Sequence, residues 1–390
     1  MDSSFINTVR VSNLLSFGPN PVDIPLRPLN VLIGPNGSGK SNLIEIISLF
    51  QAMPRDLTLP IRKGGGIRDW LRKDDRDATA TIEAFAEYPR GKRTLRHALK
   101  FSSVSQRFLI LDERVENSEP DEGQDDPCFY YRLNQNSHPV ITVRKEHRKL
   151  ERESVDPEQS ILSQRKDPDQ YPELTWLGDQ FGKIRIYREW AFGRHAPLRQ
   201  PREPDAPNDF LAEDCGNLGL ILNRMKREPK VKRRVTELLG EFYDGIEDFD
   251  VIMEGGSVQV FLQEGDISIP ATRLSDGTLR YLCMLAILCH ARLPPLICIE
   301  EPELGIHTDI IPVLAALLKE ASARTQLIVT THSDALVDEL SDTPESVLVC
   351  EKHDGCTEFK RLEQDALREW LQKYSLGELW NRGEIGGNRW

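Results

Sequence analysis

Three observations predict an α/β fold built on a parallel sheet, with an antiparallel β lobe and an inserted, mainly helical lobe. Residues 29–50 run as an apolar strand, a glycine-rich loop and a helix. From residue 270 onward, apolar strands at 296–300, 326–331 and 346–351 alternate with helical stretches, the pattern of a parallel core. Between these two parts, residues 80–88, 94–101 and 107–115 form strand-like runs that read as an antiparallel meander.

The elements follow in order. Residues 5–12 and 29–33 read as strands around the turn Gly18-Pro19-Asn20-Pro21. Residues 62–77, with Gly64-Gly65-Gly66, read mainly as a loop. The acidic stretch 117–127 reads as a linker or loop, and 129–144 as one more hairpin. Residues 145–182 are polar with broken helical periodicity, and Lys183-Ile184-Arg185-Ile186-Tyr187 is strand-like. Four prolines mark 196–209 as an extended loop, and 216–243 reads as helices broken at Pro229. Residues 250–262 alternate around Gly255-Gly256, a hairpin signature. The expected segments are 1–115 (glycine-rich loop and β lobe), 116–245 (helical lobe), 246–362 (second half of the core) and 363–390 (C-terminal helix and tail).

The 390 residues are enough for one large core or two modest domains. A net charge of −12 argues against a protein that coats nucleic acid generally, while leaving room for a local basic patch. The 7 cysteines are scattered without a C-x-x-C pair, so neither a zinc site nor a disulfide framework is expected. No apolar run approaches a membrane span and no signal peptide is visible, so the expectation is a soluble, cytoplasmic chain.

The chemistry starts at Gly34-Pro35-Asn36-Gly37-Ser38-Gly39-Lys40-Ser41, which matches the phosphate-binding G-x-x-x-x-G-K-[ST] pattern. Glycines let backbone N–H groups close around phosphate oxygens at a helix N-terminus. Lys40 is placed to reach the β- and γ-phosphates, and Ser41 to offer a hydroxyl to Mg²⁺. The strand Leu296-Ile297-Cys298-Ile299 delivers Glu300-Glu301-Pro302-Glu303 to a sheet edge where ligands bind. Glu300 suits Mg²⁺, and Glu301 suits polarising an attacking water. His332 follows the next apolar strand and suits a hydrogen bond to the γ-phosphate. Leu274-Ser275-Asp276-Gly277-Thr278 opens an apolar helix, 279–290, and makes either a second anion site or an ordinary helix cap.

These four motifs, in this order, resemble the ATP-binding-cassette (ABC) ATPases: Walker A loop, signature, Walker B strand and switch histidine. The N-terminal Val11-Ser12-Asn13-Leu14-Leu15-Ser16-Phe17-Gly18 and the run Glu300-Glu301-Pro302-Glu303-Leu304-Gly305-Ile306-His307 look like the SMC/RecF/OLD branch, and most of all its stand-alone bacterial ATPases. The likeness covers essentially the whole chain, including the Gly-Gly-Asn-Arg-Trp end. It implies a P-loop NTPase head using ATP and Mg²⁺. Asn36, Gly37, Ser38, Gly39, Lys40, Ser41 and Asn42 would cradle the nucleotide, and Lys40, Glu301 and His332 would serve hydrolysis. Ser41, Glu300 and a Q-loop glutamine would attend the metal. Gln164 is the candidate for that glutamine, with Gln106 and Gln51 as fallbacks. The resemblance further implies a homodimer or higher homo-oligomer around two ATPs sandwiched head-to-tail, in which Ser275 and Gly277 complete the partner's site. The chain departs from the family at Glu300, where aspartate is usual, at Asp276 and Thr278, where Gly and Gln are common, and at Thr308, where proline is frequent.

Two functions from different classes follow. One is an ATPase head acting on DNA, in repair or anti-phage defence. The other is a slow nucleotide switch or scaffold for a separate effector protein, a nuclease or toxin. The cluster Arg224, Lys226, Arg227, Lys230, Lys232, Arg233, Arg234 is the DNA candidate, and a solvated helical face is its plain alternative. Residues 144–149 form a weaker basic run. The 58 residues after His332 would be too few for the Toprim nuclease of OLD-type proteins, so the expectation is a pure or partnered ATPase. A transporter cassette is the third reading, and the N-terminal segment and the 300–307 run speak against it.

Overall fold

The computed structural model describes residues 4–73, 79–91, 93–134, 137–143, 146–200 and 202–387. In chain order the elements are β1 (Ile6–Ser12), β2 (Val22–Pro25), β3 (Leu29–Ile33), α1 (Lys40–Ala52), α2 (Thr58–Lys63) and α3 (Ile67–Trp70). Next come β4 (Ala80–Ala86), β5 (Leu95–Val104), β6 (Arg107–Asn117), β7 (Phe129–Asn134), β8 (Val140–Val143), β9 (Glu146–Lys149), α4 (Ile161–Gln164) and α5 (Pro172–Lys183). They are followed by β10 (Arg185–Tyr187), α6 (Leu218–Lys226), α7 (Pro229–Phe242), β11 (Asp248–Glu254), β12 (Ser257–Glu264), β13 (Ile267–Pro270) and α8 (Asp276–Leu288). The last are β14 (Leu296–Glu300), α9 (Ile311–Ser322), β15 (Gln326–Thr330), α10 (Asp334–Asp338), β16 (Val347–His353), β17 (Cys356–Arg361), α11 (Gln364–Leu367) and α12 (Leu376–Asn381).

The chain divides into two compact units. The first holds the residues through Ile184, Leu348–Arg361 and the stretch from Gly386; the second holds Arg185–Val347 and Leu362–Ile385. In the first unit, an eight-stranded sheet runs β2-β1-β4-β5-β6-β7-β8-β9 with antiparallel pairing throughout. The meander expected over 79–115 is its centre. β3 lies beside β16, which pairs antiparallel with β17. All five residues of β3 are buried, as a strand covered on both faces requires. α1 buries Leu43, Ile44, Ile46, Ile47, Leu49 and Phe50, so two sides of this helix are covered.

In the second unit, β10, β14 and β15 pair in parallel, with Tyr187 opposite Ile299 and Glu300 opposite Thr330. β11, β12 and β13 make a separate antiparallel sheet. Its first hairpin turns at Gly255 and Gly256, with φ of +57° and +75°, which a tight two-residue turn requires. Pro229 starts α7 at a position that needs no N–H donor, so the break expected there is a helix start.

Three expectations differ from the structure. The boundary at 116 does not divide the fold, because β7 pairs with β6 and the sheet continues to β9. The expected C-terminal helix is two short ones, α11 and α12. β2, β9, β13 and β17 have no counterpart among the expected strands. Positions 144 and 145 of the weaker basic run, 74–77 of the expected loop, and 388–390 of the Gly-Gly-Asn-Arg-Trp end lie outside the described residues. Among the described residues, no helix is long and apolar enough to cross a membrane.

Candidate active site

The residues singled out from the sequence form two constellations, one in each unit. In the first, the glycine-rich loop joins buried β3 to α1. Gly37 and Gly39 have φ of +80° and +110°, a region that side-chain-bearing residues rarely enter. A Cβ on Gly39 would lie 2.2 Å from Thr357 Oγ1, and one on Gly34 would lie 2.2 Å from the Cys350 carbonyl. The loop is therefore pressed against β16 and β17. Thr357 fixes it there, donating to the Ser38 carbonyl at 2.7 Å and lying 2.5 Å from Ser16 Oγ. Asn42 Nδ2 donates to Ser16 in turn.

The loop fits a polyphosphate. α1 has no side-chain cap and no acidic residue in its first turn, so its N-terminal dipole is uncompensated. Ser38 Oγ is buried without a hydrogen-bond partner. Nothing approaches within 4 Å of a Cβ built on Gly37. Lys40 is 7% exposed, and its ammonium donates to the Gly34 and Pro35 carbonyls at 2.6 and 3.2 Å. A cavity of about 330 Å³, lined in part by Ser16, Asn42, Arg72, Lys73 and Lys352, adjoins the start of α1.

In the second unit, β14 and β15 end together, and the two loops that follow are tied to each other. The Glu301 N–H donates to the Thr330 carbonyl at 3.0 Å. Glu301 takes φ of +47°, a strained conformation for a residue with a side chain. Its Oε1 lies 3.7 Å from His332 Nε2. Glu303 Oε1 accepts from Thr331 Oγ1 at 2.6 Å and from the His332 N–H at 3.1 Å, so Glu303 positions the histidine loop. Ser275 caps α8, accepting from the Thr278 N–H at 3.1 Å. Gly277 permits close packing, since a Cβ there would sit 2.5 Å from the Gly305 carbonyl. The signature segment and the loop after β14 are thus in backbone contact.

Residues 29–338 match the family described as "AAA domain, putative AbiEii toxin, Type IV TA system". The chain belongs to this family. Its fold is similar to that of an SMC head solved with the C-terminal winged-helix domain of ScpA, at 15% identity over 93% of this chain and 99% of that one, with a TM-score of 0.55. An SMC head with an extended coiled coil, bound to the C-terminal domain of ScpA and derived from Pyrococcus furiosus, is 13% identical over 95% and 99%, with a TM-score of 0.54. No curated protein matches the sequence. The protein is an AAA-type ATPase, and its P-loop α/β fold is similar to that of SMC heads.

Within this ATPase, Gln164 is placed away from Ser41. Its Nε2 donates to the Gln159 carbonyl at 2.8 Å, and its Oε1 accepts from the Asp156 N–H at 2.8 Å. Gln159 bonds Asp56 and Leu57, which follow the C-terminal end of α1. Ser41 is at the other end of that 13-residue helix, about 20 Å away at 1.5 Å per residue. Gln164 is thus a loop-bracing residue. The fallbacks are likewise elsewhere: Gln51 donates to the Ile184 carbonyl, and Gln106 occupies the exposed β5–β6 turn.

Sequence reasoning missed three residues of the second unit. Trp190, just after β10, donates its Nε1–H to the Glu300 carbonyl at 2.8 Å. Arg280 on α8 donates to the Glu301 carbonyl at 3.0 Å, and burial lowers its pKa from the ordinary arginine value. Arg199, 8% exposed, donates to the Phe192, Ala271 and Leu274 carbonyls and to Asp276, fixing the segment that leads into the signature. The available signal was an arginine inside an otherwise apolar helix for Arg280, and aromatic residues after a strand for Trp190.

The basic cluster is largely neutralised within its own unit. Arg224 faces Asp209, Lys226 faces Asp250, Lys232 faces Asp248 at 2.7 Å and Arg234 faces Glu320 at 3.5 Å. The Lys226 ammonium holds the Asp250 carboxyl below the usual carboxylate range. Arg227, Lys230 and Arg233 are exposed.

Proposed function

We propose that this protein is a Mg²⁺-dependent ATPase that closes into a dimer around two ATPs and, as a nucleotide switch in anti-phage defence, controls a separate effector protein. The observation that carries the hydrolytic part is the strained Glu301 held beside His332, in a chain that also carries the phosphate-loop sequence Gly34 to Ser41. Lys40 and the N–H groups of Asn36 to Asn42 bind the phosphates. Ser41 would offer its hydroxyl to Mg²⁺, which when bound neutralises phosphate charge, and Glu300 is the carboxylate of the second unit suited to a divalent ion. Glu301 accepts a proton from the attacking water, and His332 donates a hydrogen bond to the phosphoryl oxygens. Ser275 and Gly277 complete the partner subunit's site. The effector reading is preferred over direct action on DNA because four of the seven clustered cations already face carboxylates. The family description, with its toxin and type IV system, is consistent with that choice.

Steady-state hydrolysis with and without Mg²⁺, together with light scattering with and without ATP, tests the reading. Metal-dependent phosphate release and an ATP-dependent doubling of mass are expected. A protein that binds ATP yet releases no phosphate, or keeps one mass throughout, contradicts it.

A further inference from the structure

The peptide carbonyls of Glu300 and Glu301 are both held by side chains that have no other place in the reaction. Trp190 Nε1 donates to the first at 2.8 Å, and Arg280 Nη1 to the second at 3.0 Å. The two donors also hold each other. The Arg280 guanidinium lies 5.0 Å from the centre of the Trp190 ring and 5.2 Å from that of Phe192, and the two rings stack 5.9 Å apart at 13°. Tyr187, the last residue of β10, also stacks with Trp190, its ring centre 6.2 Å away. The buried guanidinium meets the Glu301 carbonyl and two ring faces, and the nearby Glu303 and Glu301 carboxylates favour its charged form against the cost of burial. The Glu301 carbonyl also accepts the Leu304 N–H at 3.2 Å, so the tight turn after β14 closes on the same oxygen that Arg280 holds.

Resting on the ATPase reading above, we propose that Arg280 and Trp190 are positioning residues that lock Glu301 in its left-handed conformation and so aim its carboxylate. A left-handed glutamate is unfavourable by about 1 kcal/mol or more and persists only where its surroundings over-determine it. The clamp supplies that determination from two elements, α8 and the segment after β10. It also ties the base to the helix that Ser275 caps, one turn away from Arg280.

The test compares Arg280→Ala, Arg280→Lys and Trp190→Phe with the wild-type protein. Three quantities are read: kcat, equilibrium ATP affinity, and amide hydrogen exchange of the nucleotide-free protein. Arg280→Ala is expected to lower kcat by about a hundredfold, as a roughly 1 Å misplacement of a catalytic group does, while ATP affinity stays within about twofold. Exchange at Leu304 should speed up, while exchange in α1 stays unchanged. Arg280→Lys should recover part of kcat, because an ammonium still reaches the carbonyl but lacks the planar face for the rings. Trp190→Phe keeps the stack and removes one donor, so about a tenfold loss of kcat is expected. It also keeps the question open to measurement if Arg280→Ala fails to fold. Unchanged Leu304 exchange, or weakened ATP affinity at full kcat, overturns the inference. If Glu301→Gln is inactive while Arg280→Ala and Trp190→Phe turn over at the wild-type rate, only the clamp falls. If Glu301→Gln turns over normally, the assignment of the base falls and takes the clamp with it.

Discussion

The two groups of proposed site residues, one in each unit, are built on opposite plans. In the first unit, the phosphate loop does its work with its own eight consecutive residues, and the rest of the unit mainly presses against it, through Thr357 and the Cys350 carbonyl. In the second unit, the proposed reacting groups sit on loops and are held by distant side chains: Glu303 for His332, Arg280 and Trp190 for Glu301, Arg199 for the signature. Binding a phosphate calls for backbone donors, which one turn supplies. Aiming a proton acceptor calls for a fixed side chain, which a loop by itself does not provide.

This contrast is most sharply tested by separating binding from turnover. Lys40→Ala should lose ATP affinity by about a hundredfold or more, because the phosphates lose their buried cation. Glu301→Gln should keep affinity while kcat falls by roughly 10²–10⁴, since only the proton acceptor is removed. Titration with a fluorescent ATP analogue beside a phosphate-release assay distinguishes the two. Equal loss of affinity in both variants would break the division between the halves.

Arg199→Ala ranks next. It strips four acceptors of their buried donor, at a cost of about 3 kcal/mol in stability. Chemical denaturation should show that loss. ATP binding at the phosphate loop should survive at low temperature, while ATP-dependent dimerisation is lost. A variant that still dimerises fully would show that the signature needs no such support.

Thr357→Val acts on the first unit and should be milder. Removing the donor to Ser38 is worth about 1 kcal/mol, or about a fivefold weaker ATP affinity, with kcat at saturation unchanged. A large fall in kcat would mean that the phosphate loop, too, depends on distant side chains for catalysis.

The same contrast governs what was legible in the sequence. The loop from Gly34 to Ser41 is local, so its residues, its strand and its helix could all be read directly. So could the carboxylates after 296–299 and the histidine after 326–331, because an apolar strand ending in polar residues marks a sheet edge. Thr357 could not be found, since it lies 319 positions from its partner Ser38. Arg280 was read as part of an apolar helix, and only the fold shows what it faces. Gln164 suits the Q-loop by its place in the chain order alone, whereas its side chain braces its own loop. The acidic stretch 117–127 looked like a boundary, yet strand pairing continues beyond it: β7 joins β6 with Tyr131 opposite Val115.

The smallest effect is expected at the basic cluster, where the run of cations suggests DNA while the fold sets four of the seven against carboxylates. Lys232 is a poor residue to reverse, because a glutamate there would face Asp248 and destabilise the fold for reasons unrelated to DNA. Arg227, Lys230 and Arg233 are exposed and make the cleaner probe. Reversing all three to glutamate should change stability by no more than about 0.5 kcal/mol per site and leave ATP hydrolysis untouched. If the protein works through an effector, neither form should retain DNA at low salt, with or without ATP. If DNA is the target, the wild-type protein should bind it with a steep salt dependence, and the triple variant should lose that binding together with up to three units of the salt slope, since each neutralised phosphate contributes roughly 0.9. That second result would reverse the ranking of the two functions and make the three exposed cations, rather than the paired four, the working part of the cluster.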